Sequence, residues 1–105
     1  MAFNMHNMMK QAQEMQRRME ELQAEMAELE VEGVSGGGMV RIVMTCKGEA
    51  RKVTIDPSVL TDREIVEDLV KAAMNNARAV ADQTLSEKTK SLMESLGLPA
   101  GALPF

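Results

Sequence analysis

Residues 31–57 read VEGVSGGGMVRIVMTCKGEARKVTIDP, and their pattern decides what the chain can build. From Met39 the apolar side chains recur with a period of two. Val40, Ile42, Met44 and Cys46 fall on one face, and Met39, Arg41, Val43 and Thr45 on the other. Such alternation marks a half-buried strand. Lys47-Gly48-Glu49 carries turn chemistry, and Arg51, Val53 and Ile55 then alternate with Lys52 and Thr54 until Asp56-Pro57 ends the run. Val31 to Val34 can add a short preceding strand. The stretch is therefore expected to form a small antiparallel β-meander over 31–57, burying the face made by Val40, Ile42, Met44, Val53 and Ile55.

Gly33 through Gly38 interrupt any helical pattern, since glycine admits positive φ and close backbone approach. A phosphate loop would have to join a strand to a following helix, ending in Gly-Lys-Ser/Thr in its P-loop form. Here a helix precedes, a strand follows, and no Lys-Ser/Thr is present. A bend or bulge where the chain enters the sheet is the expected role.

Upstream, Met5, Met8, Ala12, Met15, Met19, Leu22, Met26 and Leu29 are spaced 3, 4, 3, 4, 3, 4, 3. This is a heptad stripe without glycine or proline, set among Gln, Glu, Lys and Arg. It predicts a helical arm over residues 1–30, its periodic part about 38 Å long. The same spacing explains the methionines as a packing seam, without a metal-binding methionine box.

Downstream, Thr61-Asp62-Arg63-Glu64 reads as a capping box, with Leu60 and Ile65 placed as a hydrophobic staple. Ile65, Val66, Leu69, Val70, Ala73, Ala77 and Val80 make an apolar stripe whose alanines permit close packing. The pattern thins after Ala81, so the helical segment over 61–96 is expected either to continue or to bend there. Gly97 suits a C-terminal cap, and GLPAGALPF, residues 97–105, reads as a non-helical tail.

The chain has 105 residues, which is one domain spanning 1–105. Aromatics make up 2% of it and methionine supplies eleven residues, so the core must be soft and adaptable. A helix, a hairpin and a helix offer few layers in which to bury it, and part of the core is expected to be shared with a second copy. The fold class is α+β.

A net charge of −4 argues against a simple polycationic nucleic-acid binder, but not against binding through local basic clusters. Residues 1–30 carry three basic and six acidic groups, residues 61–105 five and seven, and only residues 31–60, with four and three, are net positive. One cysteine cannot close an internal disulfide, which suits a reducing cytosol. No apolar run approaches the length of a membrane span, and MAFNMHNMMKQ is too polar for a signal-peptide core. A cytoplasmic protein is expected.

No catalytic constellation is present, and neither a metal nor a cofactor nor a small-molecule substrate is implied. Cys46 has no base nearby and reads as a small apolar residue, and His6 as a solvated one. The basic residues remain. Lys10 and Arg17 are seven apart and share a helix face, with Arg18 beside them, while Lys88 and Lys90 come late in the second helical segment. Lys10 precedes Glu30 by about 30 Å of helix, and Lys88 follows Thr61 by about 40 Å if the helix is unbroken. Both clusters are then expected far from the hairpin. Arg41, Lys47, Arg51 and Lys52 form the rival cluster on the meander.

NMMKQAQEMQRRMEELQAEMAELEVEG at 7–33, the GGGMV run, VTIDPSVL at 53–60, EDLVKAAMNNA at 67–77 and the terminal GLPAGALPF together resemble the bacterial YbaB/EbfC nucleoid-associated proteins. The resemblance runs in order along nearly the whole chain. It implies an intertwined homodimer with a shared core, helices projecting like the arms of tweezers, binding to double-stranded DNA, and a role in nucleoid organisation and gene regulation. The family's DNA contacts are attributed to the projecting helices, which makes Lys10, Arg17 and Arg18 the first candidates here and Lys88 and Lys90 the weaker ones. The plan of helix, hairpin and helix is also that of prefoldin-like chaperones, so a protein-binding module is the alternative.

Overall fold

The structure, a computed structural model, describes residues 5–97, so the expected tail lies outside the described residues beyond Gly97. The elements are α1 (Met5–Glu28), β1 (Glu30–Ser35), β2 (Val40–Thr45), β3 (Ala50–Ile55) and α2 (Arg63–Ser95). This is the α+β plan of helix, antiparallel meander and helix. The molecule measures 72 × 20 × 16 Å.

The three strands form one antiparallel sheet in the order β1-β2-β3. Gly33 stands opposite Ile42, which stands opposite Val53, and Val40 lies between Ser35 and Ile55. Directly opposed residues share a face. One face therefore carries Val31, Gly33 and Ser35, then Val40, Ile42 and Met44, then Val53 and Ile55. Buried Val40, Ile42 and Met44 pack with Ala73 and Ala77 of α2, flanked by Val31, Ile55, Leu69 and Val70.

Small residues set how closely helix and sheet approach. A Cβ on Gly33 would lie 2.3 Å from the Ala73 carbonyl oxygen and 2.4 Å from the Ala77 nitrogen, so the helix backbone rests almost directly on the strand backbone. Two polar contacts fix the position. The Ser35 hydroxyl donates to the Leu69 carbonyl at 2.6 Å, and the Val34 N–H donates to Asn76 Oδ1 at 2.9 Å. These bonds tie the first strand of the sheet to the helix.

The packing of α2 is concentrated on β1 and β2 rather than β3. Val53, expected in the core, is 53% exposed within the single chain, although its register places it on the same face as buried Ile42. The period-two pattern is right about the face but carries no information on how far the covering helix extends across it. Ile55, opposite Val40, is half-buried.

Gly36, Gly37 and Gly38 all have positive φ, at 58°, 68° and 97°, and make the tight bend between β1 and β2. Gly36 also lies beneath Leu69, where a Cβ would come within 2.9 Å of a leucine methyl.

The start of α2 differs from the expected capping box by one residue. Asp62, not Thr61, is the N-cap, and its carboxylate accepts from the Ile65 N–H at 3.2 Å. A short turn at Pro57–Val59 precedes it, capped by the Asp56 carboxylate accepting from the Ser58 N–H at 2.8 Å. Leu60 and Ile65 stay exposed rather than buried as a staple. The helix then runs unbroken to Ser95, 33 residues or about 50 Å. The thinning pattern after Ala81 marks the place where α2 leaves the sheet and meets α1.

There Leu22 and Met26 of α1 and Ala81 and Met93 of α2 are buried, and Lys88 Nζ reaches Glu25 Oε1 at 2.6 Å. The sheet end of α1 is anchored where the Cys46 N–H donates to the Leu29 carbonyl at 2.9 Å. Arg51 bridges the same corner, to Glu49 at 2.9 Å, Glu28 at 3.4 Å and Glu30 at 3.8 Å. The heptad stripe is consumed only in part. Leu22 and Met26 are buried and Met15 and Met19 half-buried, whereas Met5, Met8 and Ala12 are exposed.

Candidate nucleic-acid interface

The chain's twelve basic side chains divide sharply by type. Each of the six arginines is ion-paired with a carboxylate, Arg41 to Glu32, Arg63 to Glu67 and Arg78 to Asp82 besides those on α1 and Arg51. Of the lysines only Lys88 is paired, while Lys10, Lys47, Lys52, Lys71 and Lys90 make no ion pair with any described residue. Free positive charge is therefore carried by lysine.

On α1 the acidic and basic groups interlock because they are three and four residues apart, on one helix face. Arg17 gives Nε to Glu14 at 3.1 Å and one terminal nitrogen to the same carboxylate at 2.5 Å. Its other terminal nitrogen bonds Glu21. Arg18 Nε reaches Glu14 at 3.0 Å. The Arg17 hydrogen bonds, and then that of Arg18, hold the Glu14 pKa at about 2, against 4.5 ordinarily. Arg17 is in turn raised, chiefly by Glu14.

The five candidate residues do not form the two distal clusters expected from counting along the helices. The first turns of α2 lie across the sheet, so distance along that helix is not distance from the hairpin. Lys88 sits beside Glu25, near the sheet end of α1, and Lys90 lies on the same stretch of α2. Counting back seven residues from Glu25 and on seven from Lys88 in these antiparallel segments brings Arg18 level with Ser95, the last residue of α2. Lys10 lies about 12 Å further out along α1, past the level of the last residue of α2.

The rival cluster on the meander is likewise thinned. Arg41 is held by Glu32 at 2.9 Å and Arg51 by three carboxylates, leaving Lys47 and Lys52 unpaired. Sequence reasoning passed over Lys71, which is also exposed and unpaired. Spacing alone could not single it out, because carboxylates stand three or four positions from Lys10, Lys71 and Lys90 just as they do from Arg17, Arg18, Arg63 and Arg78, and only the arginines are paired with theirs.

Little in this arrangement favours other chemistry. Burial pushes the Cys46 thiol up, which disfavours the thiolate a nucleophile needs. Among the described residues no group of His, Cys, Asp and Glu is placed to hold a metal ion, and no helix is long and apolar enough to cross a membrane.

The model of the YbaB/EbfC DNA-binding family matches residues 1–96. The chain belongs to that family. Its two helices, its meander and all twelve basic residues fall inside the matched range. Membership makes this YbaB/EbfC protein a DNA-binding, nucleoid-associated one. The fold is also that of an uncharacterized protein of Helicobacter pylori, solved by crystallography, with a TM-score of 0.74 and 20% identity. The match covers 88% of this chain and 99% of the other.

Proposed function

We propose that this YbaB/EbfC protein acts as a homodimer that binds duplex DNA in the nucleoid and so contributes to nucleoid organisation and gene regulation. The observation that carries the reading is the projecting arm. It extends a 24-residue helix beyond the sheet and brings basic groups from both helices onto one structure. Lys10, Arg17 and Arg18 on α1 are the proposed phosphate contacts, with Lys88 and Lys90 closer to the sheet. Six acidic groups in residues 1–30 limit the attraction, so affinity is modest and falls steeply with salt. Contacts of this kind read backbone and shape more than base edges.

Val53 and the thin core support the homodimer. Its side chain lies on the core face yet is uncovered in one chain, as expected if a second copy completes that face. Fluorescence anisotropy with a duplex and a single strand, at 50 and 200 mM salt, tests the DNA reading; absence of duplex binding at the lower salt overturns it. Sedimentation at micromolar concentration tests the dimer, which a well-folded monomer contradicts.

One observation favours a second reading. Met5, Met8 and Met9 are exposed on a single projecting helix, a flexible apolar surface of the kind promiscuous protein binders use. A protein-binding or chaperone-like module predicts suppression of client aggregation without any DNA binding.

A further inference from the structure

Arg17 and Arg18 are neighbours on α1 and identical in type, but their guanidinium groups are not equally available. A fork contact to phosphate needs two adjacent N–H groups pointing the same way. In Arg17 the edge made by Nε and one terminal nitrogen is closed by Glu14, and the other terminal nitrogen bonds Glu21. In Arg18 only Nε is engaged, at 3.0 Å from the same Glu14, and neither terminal nitrogen bonds a carboxylate among the described residues. Exposure alone would choose the other residue, because the Arg17 side chain is 54% exposed and that of Arg18 41%.

We infer that Glu14 divides the pair: Arg18 is the phosphate ligand of the arm, and Arg17 is masked. Glu14 is a positioning residue. By accepting from Arg18 Nε it orients that side chain and leaves the terminal nitrogens free to meet a phosphate. Arg17 closes the other side of Glu14 and keeps it in place. Arg17 is held by two carboxylates, Glu14 and Glu21, and Arg18 by one that it shares, so the attraction a phosphate would feel is more fully cancelled at Arg17. This assignment rests on the reading of α1 as a DNA-binding arm.

The test uses the full chain and a duplex of about 30 base pairs, with affinity measured by anisotropy across a salt series. The variants are Arg17→Gln, Arg18→Gln, Glu14→Gln and, as a control for net charge, Glu20→Gln, whose carboxylate makes no ion pair with a described residue. Glutamine keeps helix propensity close to that of the residues it replaces, and circular dichroism confirms the fold. One phosphate contact is worth about 0.9 in the slope of log K against log salt. Arg18→Gln is expected to lower the slope by about that amount, and Arg17→Gln to leave it unchanged. Glu14→Gln keeps an amide oxygen to accept from Arg18 Nε but removes the carboxylate that closes the Nε edge of Arg17, so it is expected to raise the slope, and Glu20→Gln to leave it unchanged. If Arg17→Gln lowers the slope as much as Arg18→Gln, or if Glu14→Gln behaves like Glu20→Gln, the assignment is wrong although the arm binds DNA. A wild-type protein that binds no duplex at low salt overturns the underlying reading as well.

Discussion

Gly33 of β1 and Ala77 of α2 are in backbone contact: a Cβ built on the glycine would lie 2.4 Å from the alanine nitrogen and 2.5 Å from its Cβ. Neither neighbour is the flexible end of a side chain, so the helix can admit a methyl group only by lifting. Gly33→Ala is therefore expected to destabilise the protein by about 3 kcal/mol, the upper part of the overpacking range. Gly37→Ala meets nothing within 4 Å and suffers only its positive φ, a cost of about 1 kcal/mol. Urea midpoints of the two variants, at one protein concentration, check the contrast.

Asp62 and Thr61 make separable predictions about the start of α2. Loss of the N-cap carboxylate in Asp62→Ala should cost about 1 kcal/mol. Thr61→Ala, outside the cap, should stay within about 0.5 kcal/mol of wild type. A larger loss from the threonine, again by urea denaturation, would restore the capping box that the sequence suggests.

The fold was largely legible in the residues, because each element carries its own local code. The heptad spacing from Met5, the alternation from Val40 and the glycine run each specify a conformation through nearest neighbours. Helix α2 was legible in its apolar stripe, but the thinning after Ala81 left open whether it continues or bends, and at Thr61 two adjacent cap-competent residues compete and geometry chooses Asp62. The exposure of Val53 was not legible, since coverage of a sheet face depends on where a distant helix crosses it. The candidate site was legible as a set of residue types but not as an arrangement. Lys88 lies beside Glu25 because α2 crosses the sheet first, a fact of tertiary packing that no spacing encodes.

Glu14 should titrate far below an ordinary glutamate. Its pKa is about 2 when folded against 4.5 ordinarily, so its pairing favours the folded arm above pH 4.5 and is lost as pH falls through about 2. The side-chain carboxyl carbon, followed by NMR, should show a midpoint near 2. In Arg17→Gln the midpoint should rise, because Arg17 is the larger cause. A wild-type midpoint at the ordinary value would mean that the two arginines do not hold this carboxylate in solution.

Val53 tests the proposed dimer directly. Val53→Asp places a charge on the core face at a site that is open in the single chain. If a second copy covers that site, the variant should sediment as a monomer at concentrations where wild type is a dimer, since a buried unpaired charge is strongly disfavoured. Unchanged sedimentation would place Val53 outside the interface.

Because α2 is one unbroken helix from the Gly33 seat to its own end at Ser95, the sheet acts as a pivot and the helix as a lever. About 20 residues, or about 30 Å, separate that seat from Ser95. A tilt of about 5° at the seat would swing the far end through about 2.6 Å at that length. Substitutions at Gly33, Ala73 or Ala77 would thus be felt as a displacement of Lys88 and Lys90, the proposed phosphate contacts on α2, at a distance from any residue altered.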